Sequence, residues 1–121
     1  MIDHIGLTVT NLENSKAFFS QALEPLGIGL LMEVDGWVGY GAEGKPEFWF
    51  GQQDLGQRPM HISFGASSRA QVDAFYQAAL AAGGQDNGAP GIREHYHPSY
   101  YSAFVIGPDG HNIEAVCHEA E

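Results

Sequence analysis

Ile5, Leu7 and Val9 alternate with His4, Gly6 and Thr8 along residues 4–10, HIGLTVT. A period of two reads as a strand with one buried face. Residues 11–27, NLENSKAFFSQALEPLG, change to a helical period. Phe18, Phe19, Ala22 and Leu23 share a face, Asn11 or Asn14 can cap the start, and Pro25 and Gly27 stop it. The same succession then returns. Residues 61–84, HISFGASSRAQVDAFYQAALAAGG, lie on residues 4–27 without a gap. His61 meets His4, Ile62 meets Ile5, Phe75 meets Phe18, Leu80 meets Leu23 and Gly84 meets Gly27. Ser67 or Ser68 caps this second helix, Val72, Phe75, Tyr76, Ala79 and Leu80 form its apolar face, and Gly83-Gly84 ends it.

Strand-like runs follow each helix. They are 28–36, 37–42 and 47–52 in the first half and 88–96, 100–107 and 111–118 in the second. Each half is therefore β-α-β-β-β. The ends of the halves match as well: GPDGHNIEAV (107–116) lies on GAEGKPEFWF (41–50), which sets Glu114 opposite Phe48. The expected fold is α+β: two tandem βαβββ modules, about 1–56 and 57–121, forming a cupped, mostly antiparallel sheet with helices on its outer face. At 121 residues the chain fits one domain, 1–121.

Charge narrows the partners. Five basic residues face 15 acidic ones, a net charge of −10. Such a surface repels nucleic acid and anionic membranes, so neither is an expected partner. No run is long and apolar enough to span a bilayer. The N-terminus enters a strand pattern directly, without a signal-type segment, and the single cysteine, Cys117, forbids an internal disulfide. The expected location is cytoplasmic.

Alternation then decides where chemistry can collect. With Ile5/Leu7/Val9 and Ile62/Phe64/Ala66 beneath the helices, His4 and His61 point to the opposite, open face. Gly6, Ser63 and Gly65 leave space beside them. Glu114, between Ile113 and Ala115, also points to the open face. If the halves pair about a pseudo-twofold axis, the three converge in one concave surface. Two imidazoles and a carboxylate suit a divalent cation and leave positions for water or substrate. Fe(II) fits this set, and Mn, Ni, Co and Zn fit it too.

A second unusual stretch is REHYHPSYY, 93–101. As a wall or lid of the cup it supplies Arg93 to meet an anion and His95 or a tyrosine to carry a proton. As a packed aromatic loop it supplies only contact. Tyr101 enters the following strand, and His97-Pro98 is a turn. His111, in the turn PDGHN, is expected to face solvent, His118 to lie near the rim, Cys117 to be a small core residue and the two tryptophans to be core or interface residues.

The sequence resembles the vicinal oxygen chelate superfamily, which includes glyoxalase I, extradiol dioxygenases, fosfomycin-resistance enzymes and bleomycin-resistance proteins. The resemblance rests on DHIGLTV, MHISFGA and GPDGHNIEAV together with the two halves, and it covers essentially the whole chain. It implies metal ligands on the first and last strands of each half, here His4, His61 and Glu114. Phe48 occupies the remaining position, where glyoxalase I carries a fourth ligand. The implied function is a metal-dependent, glyoxalase-like lyase or isomerase acting on a small oxygen-chelating substrate. The alternatives are an extradiol-type Fe(II) dioxygenase and a non-catalytic binding protein of the bleomycin-resistance type. Candidate catalytic residues are Glu114, Tyr101 and His95, and candidate pocket residues are Phe48, Arg93 and Tyr100. Only Lys16, Lys45, Arg58, Arg69 and Arg93 carry positive charge, which argues against a phosphonate substrate. Family members are often dimers, so a homodimer is expected.

Overall fold

The computed structural model describes residues 1–121. The first half contains β1 (Ile5–Val9), α1 (Leu12–Leu23), β2 (Gly29–Val34), β3 (Trp37–Gly41) and β4 (Phe48–Gln52). The second contains β5 (His61–Gly65), α2 (Arg69–Ala81), β6 (Gln85–Ile92), β7 (Tyr101–Ile106) and β8 (Asn112–Cys117). Both halves have the expected element order. The strands make two four-stranded mixed sheets, ordered β1-β4-β3-β2 and β5-β8-β7-β6. In each, the first strand runs parallel to the last and the other pairs are antiparallel. This is an α+β fold without a closed barrel.

Local chemistry places the helix ends. The Asn11 side chain accepts from the Asn14 amide at 3.0 Å and starts α1. The Ser68 hydroxyl accepts from the Gln71 amide at 3.2 Å and starts α2. Each bond satisfies one amide that the first helical turn leaves without a partner. Pro25 does not simply stop α1. It sits in a 3-10 turn, Glu24–Leu26, which Gly27 closes in the left-handed region at φ 77°.

One apolar cluster of 20 buried residues runs through both halves. Phe19 is its hub on the first sheet, with ring centroids 5.0 Å from Phe18 and Phe48 and 5.2 Å from Phe50. Phe18 carries the cluster across, because α1 packs on α2 and the Phe18 ring meets the backbone of the second half. A β-carbon at Gly84 or Gly107 would lie 2.9 Å from that ring, so both sites favour glycine. Thr10 adds a polar tie, its hydroxyl donating to Asp109 at 2.6 Å.

Two expectations change here. The run 88–96 is not one strand: β6 starts at Gln85 and ends at Ile92, and residues 93–100 form a loop. The loop folds on itself through Arg93 N–H to Tyr100 O (2.7 Å) and Tyr100 N–H to His97 O (3.0 Å). His111 is fully buried rather than solvent-facing. Its Nδ1 accepts the Met60 amide at 2.9 Å, while Asn112 N–H donates to Met60 O at 2.8 Å. The turn histidine thus fixes the backbone just before β5.

Burial pushes the His111 pKa below its ordinary 6.5, partly offset by Asp109. The neutral ring is therefore favoured by the fold, and the unfolded chain takes up the proton first. Its contribution to stability is present above about pH 6.5 and is lost as pH falls below that value. The difference in unfolding free energy between wild type and His111→Gln should accordingly shrink between pH 7.5 and pH 5.5. Urea titrations at the two pH values test this, and a constant difference would refute it.

Candidate functional site

The strand registers define the open faces. Ile5 pairs with Phe48 and Gly6 with Trp49 in the first sheet, while Ile62 pairs with Ile113 and Ser63 with Glu114 in the second. Because Ser63 repeats Gly6, the structural counterpart of Glu114 is Trp49, one residue beyond Phe48. The ungapped frame therefore misaligns the last strands. Four residues lie between Gly44 and Trp49, against three between Gly110 and Glu114. Phe48 is buried among Phe19, Tyr40, Phe50 and Phe64 on the helix side. It also lines a small cavity of about 260 Å³ with Tyr40, Ser63, Phe64 and Gly65.

On the second sheet, Glu114 is fully buried while His61 is exposed. His61 Nε2 donates to Glu114 Oε1 at 2.8 Å. The Tyr100 hydroxyl donates to Oε2 at 2.5 Å. Glu114 has His61 as its ionic partner and pairs with no lysine or arginine. Burial, and then the bond to Glu114, push the Tyr100 phenol up to about 12, so it remains a proton donor here. Phe104, opposite Glu114 in β7, sets its ring 5.9 Å from His61. Arg93 lies over Phe104 at 5.6 Å and donates to Ala89 O at 2.8 Å.

Tyr100 sits in an aromatic shelf. Its ring is 5.0 Å from Tyr96 and 5.2 Å from His118, and Tyr96 in turn meets His95 at 4.1 Å. His95 is exposed at the rim. Tyr101, a candidate catalytic residue in the sequence, does not reach Glu114. One residue on, it turns to the helix side, where its hydroxyl donates to Asp73 of α2 at 2.6 Å and its ring lies under Arg69. Cys117 is buried in the core.

The first sheet presents a different face. A cavity of about 700 Å³ opens there, lined by His4, Gly6, Met32, Val34, Trp37 and Trp49. Neither tryptophan belongs to the buried core. The indoles lie flat against the sheet because glycines stand beneath them. A β-carbon at Gly51 would come within 2.7 Å of the Trp37 ring, and one at Gly39 within 2.9 Å of Trp49. His4 Nδ1 donates to Asp3 at 2.8 Å, and Lys45 holds the same carboxyl at 2.9 Å. The His4 hydrogen bond and then Lys45 hold the Asp3 pKa below its ordinary value.

The structure thus brings His61 and Glu114 together and leaves His4 on the other sheet. No group of three or more His, Cys, Asp or Glu side chains able to hold a metal lies together within one chain.

The model of the Glyoxalase/Bleomycin resistance protein/Dioxygenase superfamily matches residues 1–115. The chain belongs to this superfamily. Among solved structures, a glyoxalase/bleomycin resistance protein from Albidiferax ferrireducens is 30% identical, with a TM-score of 0.84 over 95% of this chain and 97% of that one. A glyoxalase/bleomycin resistance protein/dioxygenase family enzyme from Burkholderia phytofirmans is 17% identical and shares the fold, with a TM-score of 0.75 over 98% of both chains. A glyoxalase-related enzyme from Fulvimarina pelagi, 22% identical, superposes with a TM-score of 0.70 over 97% of this chain and 87% of its own. No curated protein matches the sequence.

The superfamily commonly binds divalent metals, and the donors present fit one. Glu114 is a buried carboxyl with no lysine or arginine beside it, and the exposed His61 imidazole next to it completes a pair of donor types that divalent cations accept. Sequence reasoning anticipated the His61–Glu114 pair. It missed the Tyr100 bond to Glu114, although the strand turn at His97-Pro98 was a signal that this tyrosine could fold back.

Proposed function

We propose that the protein is a metal-dependent enzyme of this superfamily, a glyoxalase-like lyase or isomerase that acts on a small substrate chelating through neighbouring oxygens. The observation that carries the reading is the buried Glu114 carboxylate paired with His61 Nε2 at 2.8 Å. His61 and Glu114 would hold the metal together with His4, and the metal would supply Lewis acidity toward a substrate oxygen. Phe104 and the aromatic shelf exclude water from the carboxylate. His95, at the rim of that shelf, is the imidazole assigned to carry the proton.

His4 is supplied by a second copy of the chain. The homodimer sets the open face of the first sheet of one chain over that of the second sheet of the other. Exposed Leu30, Leu31, Met32, Val34 and Trp37 on and beside that first sheet support such a pairing.

One specific observation favours a second reading, an Fe(II) dioxygenase of the extradiol type. Trp49 stands at the register position that mirrors Glu114. The site then has two imidazoles, one carboxylate and no further acid, a ligand set that suits Fe(II) with open positions.

Elemental analysis of protein purified without a metal-affinity tag tests the metal reading. About one divalent ion per chain is expected in wild type, since three protein ligands make one site. Its loss in Glu114→Ala is expected too. Iron would move the assignment to the dioxygenase, and Zn, Ni, Co or Mn would favour the lyase. No metal after reconstitution with each of these would leave a binding protein without turnover.

A further inference from the structure

Both oxygens of Glu114 are occupied, and by different kinds of partner. Oε1 faces His61, itself a candidate ligand that can turn its Nε2 to a cation. Oε2 faces the Tyr100 hydroxyl, which is less free to move away because its ring makes edge contacts with two neighbouring rings. Tyr96 packs on one edge at 5.0 Å and His118 at 5.2 Å. The backbone is fixed as well: Tyr100 donates its N–H to His97 and accepts from Arg93, closing the loop 93–100 on itself. A fully buried carboxylate with one oxygen tied to a rigid donor cannot rotate freely.

We infer that Tyr100 is a positioning residue for Glu114: its hydroxyl holds Oε2, so that Oε1 alone is left, beside His61 Nε2, to face a divalent cation. The inference rests on the metal reading above and deepens it. Partners that orient a metal ligand from behind set both affinity and the ligand's donor strength, commonly at a cost of 10- to 100-fold in affinity when removed. The loop 93–100 thereby acquires a role distinct from that of a substrate wall.

Cobalt(II) is the probe, because its visible absorption reports the ligand field while competition with a chelating dye gives the affinity. Wild type, Tyr100→Phe, Tyr101→Phe and Glu114→Ala are compared, with circular dichroism on each. Tyr100→Phe keeps the ring between Tyr96 and His118 and removes only the donor. It is expected to bind cobalt with about 10- to 100-fold lower affinity and with an altered visible spectrum. Tyr101→Phe loses a hydroxyl from the helix side and should match wild type in both. Unchanged affinity and spectrum in Tyr100→Phe would overturn the inference while leaving the metal site standing. An equal loss in Tyr101→Phe would also overturn it, since the effect would then be general loosening of the fold. Wild type that stays folded yet takes up no cobalt, or Glu114→Ala that binds as well as wild type, would overturn the metal reading and this inference with it.

Discussion

Chains carrying His4→Ala and chains carrying Glu114→Ala should each fail to hold metal, and should recover it when refolded together. The reason is the separation of the donors. His4 lies on the open face of the first sheet, and His61 and Glu114 on that of the second, with no three-donor group inside one chain. In a twofold dimer with the open faces exchanged, a mixed pair has one cup with both substitutions and one with neither. Random pairing in an equimolar mixture then restores about a quarter of all cups, as twofold symmetry requires. If instead His4 reached the other two donors within its own chain, every cup in the mixture would carry one substitution. The mixture would stay silent. Metal content after co-refolding, with a sedimentation measurement to confirm dimers, separates the two cases.

The second large effect concerns the fold beneath that face. Phe19 is completely buried and touches Phe18, Phe48 and Phe50. Truncation to alanine leaves a void walled by rigid rings, which the two sheets cannot close without parting from the helices. The expected cost is about 3–5 kcal/mol, against a total stability of about 5–15 kcal/mol for a domain of this kind. Urea unfolding should show a lower midpoint with a similar slope. A loss under about 1 kcal/mol, the range of ordinary surface changes, would mean that α1 does not anchor the first sheet in solution.

Much of this arrangement can be read from residue order because it depends on periods. The alternation around His4 and His61 and the helical faces of Phe18-Phe19 and Phe75 are local, and the repeat tests each against the other. What depends on counting across a turn fails more easily. The frame through Gly41 and Gly107 places Glu114 on Phe48, but one more residue follows Gly44 than follows Gly110, and a one-residue slip in a strand exchanges its faces. Trp49 therefore takes the open face and Phe48 the core. Tyr100 and Tyr101 show the same sensitivity: adjacent residues, one on Glu114 and one on Asp73. His111 fails for another reason. A histidine beside Asp109-Gly110 looks solvated, and only the tertiary approach of Met60 gives its ring a buried partner. Nor could alternation decide whether His4 meets His61 and Glu114 within one chain or across two, since it orders side chains within a sheet and is silent on how sheets meet.

The glycines under the indoles have a practical consequence. The chain contains two tryptophans, Trp37 and Trp49, and both rest on the open face of the first sheet. Its intrinsic ultraviolet emission therefore originates at that face, held flat by Gly39 and Gly51. The protein carries a label-free optical gauge of whatever settles there, and a shift or quenching of the emission band reads occupancy of that surface without any chemical dye.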